Sequence, residues 1–290
     1  PQRARALLRL ARRRQLPKNL LVFAAPLAAG SLGPHGRGAG GALVAFLAFT
    51  LSSTAVYAVN DVVDADQDRL HPRKRLRPVA SGLVSEPQAL VFAAGCVVLA
   101  EAFGAAPPGT GLSAAVTGYL GASALYCVAL KDVPYVELVV VASGFVLRAL
   151  GGAAAAEVPP SGPFVLVCSL GALLIVVAKR ATESAGLGAR ARVHRPCLRG
   201  YSVRGLRAGQ RTVGGVLLIA YVTWAVSDPD AWTGAWRLVS AVPLAAALVR
   251  FDALTGRDGG SAIEDLLLRD PLMLTAELLW LSLFVIGLQR

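Results

Sequence analysis

The chain has 290 residues, of which 55% are hydrophobic and only 16% charged, whereas about a quarter of the residues in a soluble domain are charged. A soluble protein is therefore excluded, and the composition predicts an all-α integral membrane protein, a single domain over residues 1–290 embedded in the lipid bilayer. The formal net charge of +11 requires no nucleic acid, because attraction to anionic lipid headgroups accounts for basic segments between apolar helices.

Apolar stretches of about 17–25 residues, long enough to cross a bilayer, recur along the whole chain. About nine transmembrane helices are predicted, over residues 16–32, 42–59, 87–103, 111–130, 134–156, 163–178, 213–226, 237–251 and 271–288. Lys and Arg concentrate in the N-terminal segment and in the loops after the even-numbered spans, together with nearly all the acidic residues. Because cytoplasmic loops attract Lys and Arg, these regions are predicted to face the cytoplasm, in a multi-pass protein of the cell's inner (plasma) membrane. Any chemistry is expected at that face.

Two polar residues, Lys18 and Asn19, open the first span. They lie deeper than the Arg-rich lead-in, which is typical of an interfacial anchor. Ligand contact and anchoring both remain open for them.

The second span ends in the acidic stretch NDVVDADQD, residues 60–68. A helix that continues through this stretch places four polar side chains on one face: Asn60, Asp61, Asp64 and Asp68. Like charges at this spacing repel, and Mg²⁺ removes the repulsion, since it binds one or two carboxylates and completes its octahedron with water and phosphate oxygens. Lys74 and Arg77 follow, and their charges suit phosphate. The stretch predicts a Mg²⁺–phosphate site, and the alternative is a solvated helix end of mixed charge.

Further polar residues flank the fourth and fifth spans. Tyr126 and Lys131 end span four, where a Tyr is often part of an aromatic belt. Glu137 and Arg148 lie on nearly the same face of span five, and an Arg at that depth needs a partner or a water-filled cavity. A structural ion pair with a neighbouring helix and a substrate contact both remain open. The four cysteines form no CxxC pair and are predicted to be small buried hydrophobes.

Span six ends in the second polar motif, AKRATE, residues 178–183. Lys179 and Glu183 are four residues apart, so they either form a helix-end pair or contribute, with Arg180, to a polar site. In the last long loop, Ser261 and Glu264 predict a capping box that leads into a short helix.

The acidic stretch after span two, the nine-helix layout and the polar motif after span six resemble the UbiA superfamily of intramembrane prenyltransferases. The resemblance implies an α-helical bundle around a central cavity that opens to the cytoplasm, with two Asp-rich motifs that help Mg²⁺ hold a prenyl diphosphate. The first motif fits fully. The second reads Lys179-Arg180-x-x-Glu183 where Asp-x-x-x-Asp is expected, and this departure argues against an ordinary aromatic prenyltransferase.

The second motif in this form resembles that of one branch of the superfamily, the decaprenyl-phosphate phosphoribosyltransferases. The segments that carry this resemblance include RQLPKNLLVFAAPLAAG, NDVVDADQDRLHPRKRLRP and AKRATE. It implies a glycosyltransferase that moves 5-phosphoribose from phosphoribosyl diphosphate to a polyprenyl (decaprenyl) phosphate, for cell-wall arabinan synthesis. Asp61, Asp64 and Asp68 would hold Mg²⁺ on the diphosphate, and Asn60 would orient the first carboxylate or a sugar hydroxyl. The residues that would bind phosphate groups are Lys74, Arg77, Lys179, Arg180 and Glu183. The lipid phosphate would be received by Lys18, Lys131 and Tyr126.

Two other functions remain as alternatives. A UbiA-type transfer of a prenyl group from prenyl diphosphate to a small or aromatic acceptor would favour an acidic second motif. A transporter would favour charges near mid-bilayer and broken helices, whereas the charges here collect at one face. The sequence leaves the oligomeric state open, a homo-oligomer included.

Overall fold

The computed structural model describes residues 7, 9–33, 38–70, 74–187, 196–257, 263 and 269–289. Over these residues every regular element is a helix, which confirms the all-α prediction. The α-helices are α1 (Ala24–Ala28), α2 (Gly38–Val63), α3 (Ala65–Leu70), α4 (Glu86–Gly104), α5 (Gly111–Leu125), α6 (Val136–Ala155), α7 (Gly162–Leu187), α8 (Val203–Val226), α9 (Ala231–Arg257) and α10 (Pro271–Gly287). Shorter elements are 3₁₀ helices at Arg13–Phe23, Lys74–Leu76 and Pro196–Gly200 and a π-helical turn at Tyr126–Leu130.

In the described part of the chain, six helices are long and apolar enough to cross a membrane, fewer than the nine predicted: Gly38–Val63, Glu86–Gly104, Gly111–Leu130, Val136–Ala155, Gly162–Gly186 and Ala231–Gly256. The other three predicted segments are also helical. The first is the 3₁₀ helix Arg13–Phe23, which contains Pro17 and so cannot form a continuous α-helical hydrogen-bond ladder. The seventh, α8, carries three arginines in its first turns, and the ninth, α10, has only 17 residues.

Helix starts follow from local capping chemistry. Ser85 precedes α4, and its hydroxyl accepts a hydrogen bond from Gln88 N–H while the Gln88 side chain accepts one from Ser85 N–H, a complete capping box. Asp270 caps α10 by accepting from Met273 N–H. The predicted capping residues Ser261 and Glu264 lie outside the described residues.

The chain divides into two compact units, of which the first comprises Pro1–Leu27, Ser31–Val128 and Leu147–Pro159. Phe49 is fully buried in its apolar core, among small and branched residues of α2 and α5. At the end of α6 the backbone approaches the N-terminal 3₁₀ helix so closely that a Cβ built on Gly152 would lie 1.8 Å from the carbonyl oxygen of Val22. Only glycine fits there, and this contact fixes the N-terminal segment in the unit.

The second unit comprises Ala28–Gly30, Ala129–Val146 and Pro160–Arg290. One of its apolar clusters joins the first half of α6 to α7 and the start of α8. Another gathers aromatic side chains around Arg237, whose guanidinium lies 4.1 Å from the ring centre of Trp224 and pairs with Asp228. A buried charge is tolerated here because it has both an ion-pair partner and an aromatic face.

Candidate functional site

The acidic stretch is helical on both sides of Asp64, which meets in large part the condition under which its polar side chains share one face. Asp64 N–H donates to Asn60 O at 2.9 Å and Asp68 N–H to Asp64 O at 2.8 Å, so the hydrogen-bond ladder runs from α2 into α3 with only a turn at Asp64. Asp61 and Asp68 are both buried, whereas Asp66 points to solvent. The seven-residue spacing of the two buried carboxylates therefore places them on one inner face.

Basic side chains surround these two carboxylates. Arg77 Nη1 lies 2.5 Å from Asp68 Oδ2 and 3.5 Å from Asp61 Oδ1. Arg12 also pairs with Asp61, and Lys74 Nζ lies 3.9 Å from Asp68 Oδ1. Arg12 was not identified from the sequence, because it belongs to an Arg-rich run that is typical of a membrane anchor.

The donor chemistry of this cluster suits a hard divalent cation. Two buried carboxylates converge on one guanidinium nitrogen, a position of concentrated negative potential. No group of three or more His, Cys, Asp or Glu side chains that could hold a metal occurs among the described residues. Since Mg²⁺ needs only one or two carboxylates when phosphate and water supply its other ligands, Asp61 and Asp68 fit a metal that arrives with a phosphate.

Asn60 connects the acidic stretch to the end of the fourth apolar helix. Cys127 belongs to the π-helical turn Tyr126–Leu130, and its thiol lies 2.9 Å from Asn60 Oδ1. Such turns interrupt α-helices frequently at functional sites. Cys127 is buried, as predicted, but its contact with Asn60 was not foreseen; Tyr126, one residue earlier, is half-buried.

A second buried polar group in this unit centres on Arg148. Its Nε donates to Asn19 Oδ1 at 2.8 Å and its Nη2 to the Tyr119 hydroxyl at 3.0 Å, and its guanidinium lies over the Tyr119 ring. Asn19 also donates to Thr50 and Ser53 hydroxyls. Asn19, for which ligand contact and anchoring were left open, thus makes hydrogen bonds inside this unit, and its contact with a ligand stays a prediction. Lys18 beside it is half-buried.

The second polar motif is organised by Arg180. This guanidinium is buried and forks onto Glu137, with Nε–Oε1 at 2.5 Å and Nη2–Oε2 at 2.7 Å, while its Nη1 lies 2.8 Å from Glu183 Oε2. An ion pair with a neighbouring helix was considered for Arg148, whereas the pair of Glu137 with Arg180 was not foreseen. Glu183 is neutralised within its own motif, and a phosphate contact for Arg180 stays a prediction that this pairing disfavours.

Tyr201 completes the surroundings of Glu137. Its hydroxyl lies 3.4 Å from Glu137 Oε1 and accepts a hydrogen bond from Tyr135 N–H at 2.6 Å. Burial raises the pKa of Tyr201 to about 12, so the phenol stays protonated at physiological pH. An apolar cavity of about 340 Å³ lies beside it, lined among others by Leu138 and Leu206.

The predicted site residues fall in both compact units. The first unit contains the acidic stretch with Lys18, Lys74, Arg77 and Tyr126, and the second contains Lys131, Lys179, Arg180 and Glu183. The structure brings together Asp61, Asp68, Lys74 and Arg77 in the one, and Arg180 with Glu183 in the other.

Comparison with known proteins gives concordant matches. Residues 20–265 match the UbiA prenyltransferase family. The chain is 35% identical over 278 residues to decaprenyl-phosphate phosphoribosyltransferase of Mycobacterium tuberculosis, covering 93% of this chain and 90% of that protein, and 30% identical over 290 residues to the same-named protein of Corynebacterium glutamicum, covering 98% and 87%. Its fold is similar to that of a UbiA homologue from Archaeoglobus fulgidus bound to GPP and Mg²⁺, with a TM-score of 0.74, 16% identity and 98% of each chain covered.

Proposed function

Because the chain belongs to the UbiA prenyltransferase family, and is a multi-pass membrane protein with six apolar helices in its described part, we propose that it transfers 5-phosphoribose from phosphoribosyl diphosphate to a polyprenyl phosphate. Decaprenyl phosphate is the acceptor that the names of its relatives suggest. The reaction is Mg²⁺-dependent, takes place at the cytoplasmic face of the plasma membrane and releases diphosphate. Its product serves as a precursor of cell-wall arabinan.

The observation that carries this proposal is the composition of the second motif. A second metal site would need carboxylates there, but Glu183 is paired with Arg180, and Arg180 is held in turn by Glu137. One acidic motif and one cationic motif suit a donor with one metal-binding diphosphate and a separate 5-phosphate. A prenyl diphosphate has no such second phosphate.

In the proposed reaction, an oxygen of the lipid phosphate attacks C1 of the ribose, and the bond from C1 to the diphosphate oxygen breaks. Diphosphate leaves with the bonding electron pair. The attacking phosphate monoester is already anionic, since its second pKa is about 6, so no strong base is needed. Catalysis consists of aligning the two reactants and neutralising the charge of the leaving diphosphate. Bound Mg²⁺ would supply the neutralising charge.

Each motif then has a distinct task. Asp61, Asp64 and Asp68, some of them through water, would hold the metal, and Asn60 would orient the first carboxylate or a sugar hydroxyl. The basic side chains bind phosphate: Lys74 and Arg77 the diphosphate, Lys179 the 5-phosphate, and Lys18 and Lys131 with Tyr126 the lipid phosphate. Arg180 is held by Glu137 and Glu183 and would fix the end of α7, which carries the neighbouring Lys179.

Prenyl transfer to a small acceptor is the second candidate. The similarity of fold to a UbiA homologue bound to GPP and Mg²⁺ favours it. The cationic second motif weighs against it.

The direct test supplies purified protein with Mg²⁺, labelled phosphoribosyl diphosphate and decaprenyl phosphate, and counts the label extracted with lipid. We expect lipid-bound label and an equal amount of released diphosphate. Consumption of GPP without any lipid-bound label from phosphoribosyl diphosphate would assign the chain to the second candidate.

A variant pair tests the metal role of the acidic stretch. Asp64→Ala removes a proposed metal-binding carboxylate, so turnover should fall by about 100-fold or more. Asp66→Ala is the matched control, because Asp66 lies in the same stretch with its side chain 94% exposed. Substantial activity of the Asp64→Ala protein would remove Asp64 from the site.

A further inference from the structure

The carboxylates and the cations of the acidic site differ sharply in exposure. The Asp61 and Asp68 side chains are each 2% exposed, whereas Arg77 and Arg12 are 24% and 27% exposed and Lys74 is 48% exposed. The cations therefore cover the carboxylates on the solvent side. Whatever reaches the two aspartates from water meets the guanidinium groups first.

Arg77 occupies the electrostatic position of a metal. Two carboxylates removed from water are costly unless a counter-charge stays in contact, and Arg77 Nη1 contacts both of them, at 2.5 and 3.5 Å. A divalent cation that arrived alone would have to separate these pairs. It would also meet the repulsion of the displaced guanidinium, and of Arg12 on Asp61.

A metal that arrives with a diphosphate meets no such obstacle. Guanidinium binds phosphate oxygens as well as carboxylates, in the same two-pronged geometry. Arg77 can exchange its aspartates for diphosphate oxygens while the aspartates exchange Arg77 for the metal. Every charge keeps an opposite partner, and none is left buried alone.

We infer that Arg77, assisted by Arg12, excludes divalent metal from Asp61 and Asp68 until the metal comes with a diphosphate. The inference rests on the proposed function only in that the acidic site binds a metal diphosphate, which the phosphoribosyl and the prenyl donor share. The two arginines act as internal counter-ions in the ligand-free protein and as diphosphate ligands in the loaded one. Metal and donor consequently bind as one unit.

The test measures metal and diphosphate separately on the full chain in detergent. Mn²⁺ replaces Mg²⁺ because its electron paramagnetic resonance signal reports the unbound ion, and retention of labelled inorganic diphosphate reports the second ligand. For Arg77→Gln we expect Mn²⁺ alone to bind about tenfold tighter or more, and diphosphate retention at fixed Mn²⁺ to weaken by about tenfold or more. Arg69→Gln is the matched control, since Arg69 lies in the same segment but pairs with Asp66. It should leave both measurements unchanged.

Opposite changes in the two affinities distinguish this role from a merely structural one, which would weaken both. Arg12→Gln provides a second variant with the same expectation, should Arg77→Gln fold poorly. Mn²⁺ binding to the wild-type protein also tests the inference. Tight binding in the absence of diphosphate would overturn it, whatever donor the enzyme uses. Lack of phosphoribosyl transfer with these affinities as expected would instead refute the proposed function and leave the inference standing.

Discussion

The ion pair between Glu137 and Arg180 offers the sharpest test of the energetics of the second motif. Glu137→Gln keeps the shape of the side chain and removes its charge. Arg180 and Glu137 have exposures of 3% and 0%, and breaking a buried pair by removing one partner costs about 3–5 kcal/mol. Arg180 also pairs with Glu183, whose side chain is 28% exposed, and a partly exposed pair contributes about 1 kcal/mol at most. We therefore expect Glu137→Gln to lower the free energy of unfolding by about 3 kcal/mol.

The measurement is denaturant-induced unfolding in mixed micelles for four proteins: wild type, Glu137→Gln, Glu183→Gln and the double variant Glu137→Gln/Arg180→Gln. Glu183→Gln is the matched control and should cost about 1 kcal/mol or less. The double variant should be more stable than Glu137→Gln alone, because it no longer buries an unpaired charge. Equal destabilisation by Glu137→Gln and Glu183→Gln would refute the reasoning and indicate that water reaches Arg180.

Two further predictions concern other parts of the fold. Hydrogen bonds from Arg250 lower the pKa of Asp270 to about 2, below the value of about 3.9 in an unfolded chain, so the stability that this pair contributes is complete above about pH 5 and is lost as the pH falls toward 2. The difference in unfolding midpoint between wild type and Asp270→Asn, which keeps a capping side chain, should be constant from about pH 7 to pH 5 and shrink below about pH 4; a difference that grows on acidification would contradict this. Gly152→Ala should destabilise the protein by about 3 kcal/mol or more, because its Cβ would meet the backbone of Val22 at 1.8 Å. Gly121→Ala, with nothing within 4 Å of its Cβ, should be neutral or stabilising, and equal folded yields of the two variants would argue against the close backbone contact.

Local features of the structure could be predicted from the sequence. The inner face of the acidic stretch follows from helical periodicity, and most of the apolar helices from hydropathy. Helix α8 begins at Val203, ten residues before the predicted span at 213. Its first turns carry arginines, so the predicted membrane span began only after them. Helical hydrogen bonds require no apolar side chains, so a helix can extend beyond the segment that suits a bilayer.

The ion-pair partners could not be predicted, because nothing local specifies which distant charge a side chain meets. Arg12 is 49 positions from Asp61, and Glu137 is 43 positions from Arg180. In the sequence, Arg77 and Arg180 both suit phosphate binding. A guanidinium group binds the oxygens of a phosphate and those of an internal carboxylate in the same way, so the sequence does not distinguish the two roles. Only the fold shows that Arg180 is already paired on two sides, and that Arg77 lies between two aspartates.

The contact between Asn19 and Arg148 has a consequence for the order in which the chain assembles. The two residues are separated by 129 positions, so at about 5–20 residues per second the ribosome needs on the order of ten seconds to make the second after the first. During that interval the N-terminal 3₁₀ helix lacks both the guanidinium of Arg148 and the cleft at Gly152. This 3₁₀ helix is thus fixed in place only after α6 has been synthesised, and the order in which these two elements assemble runs against the order of their translation.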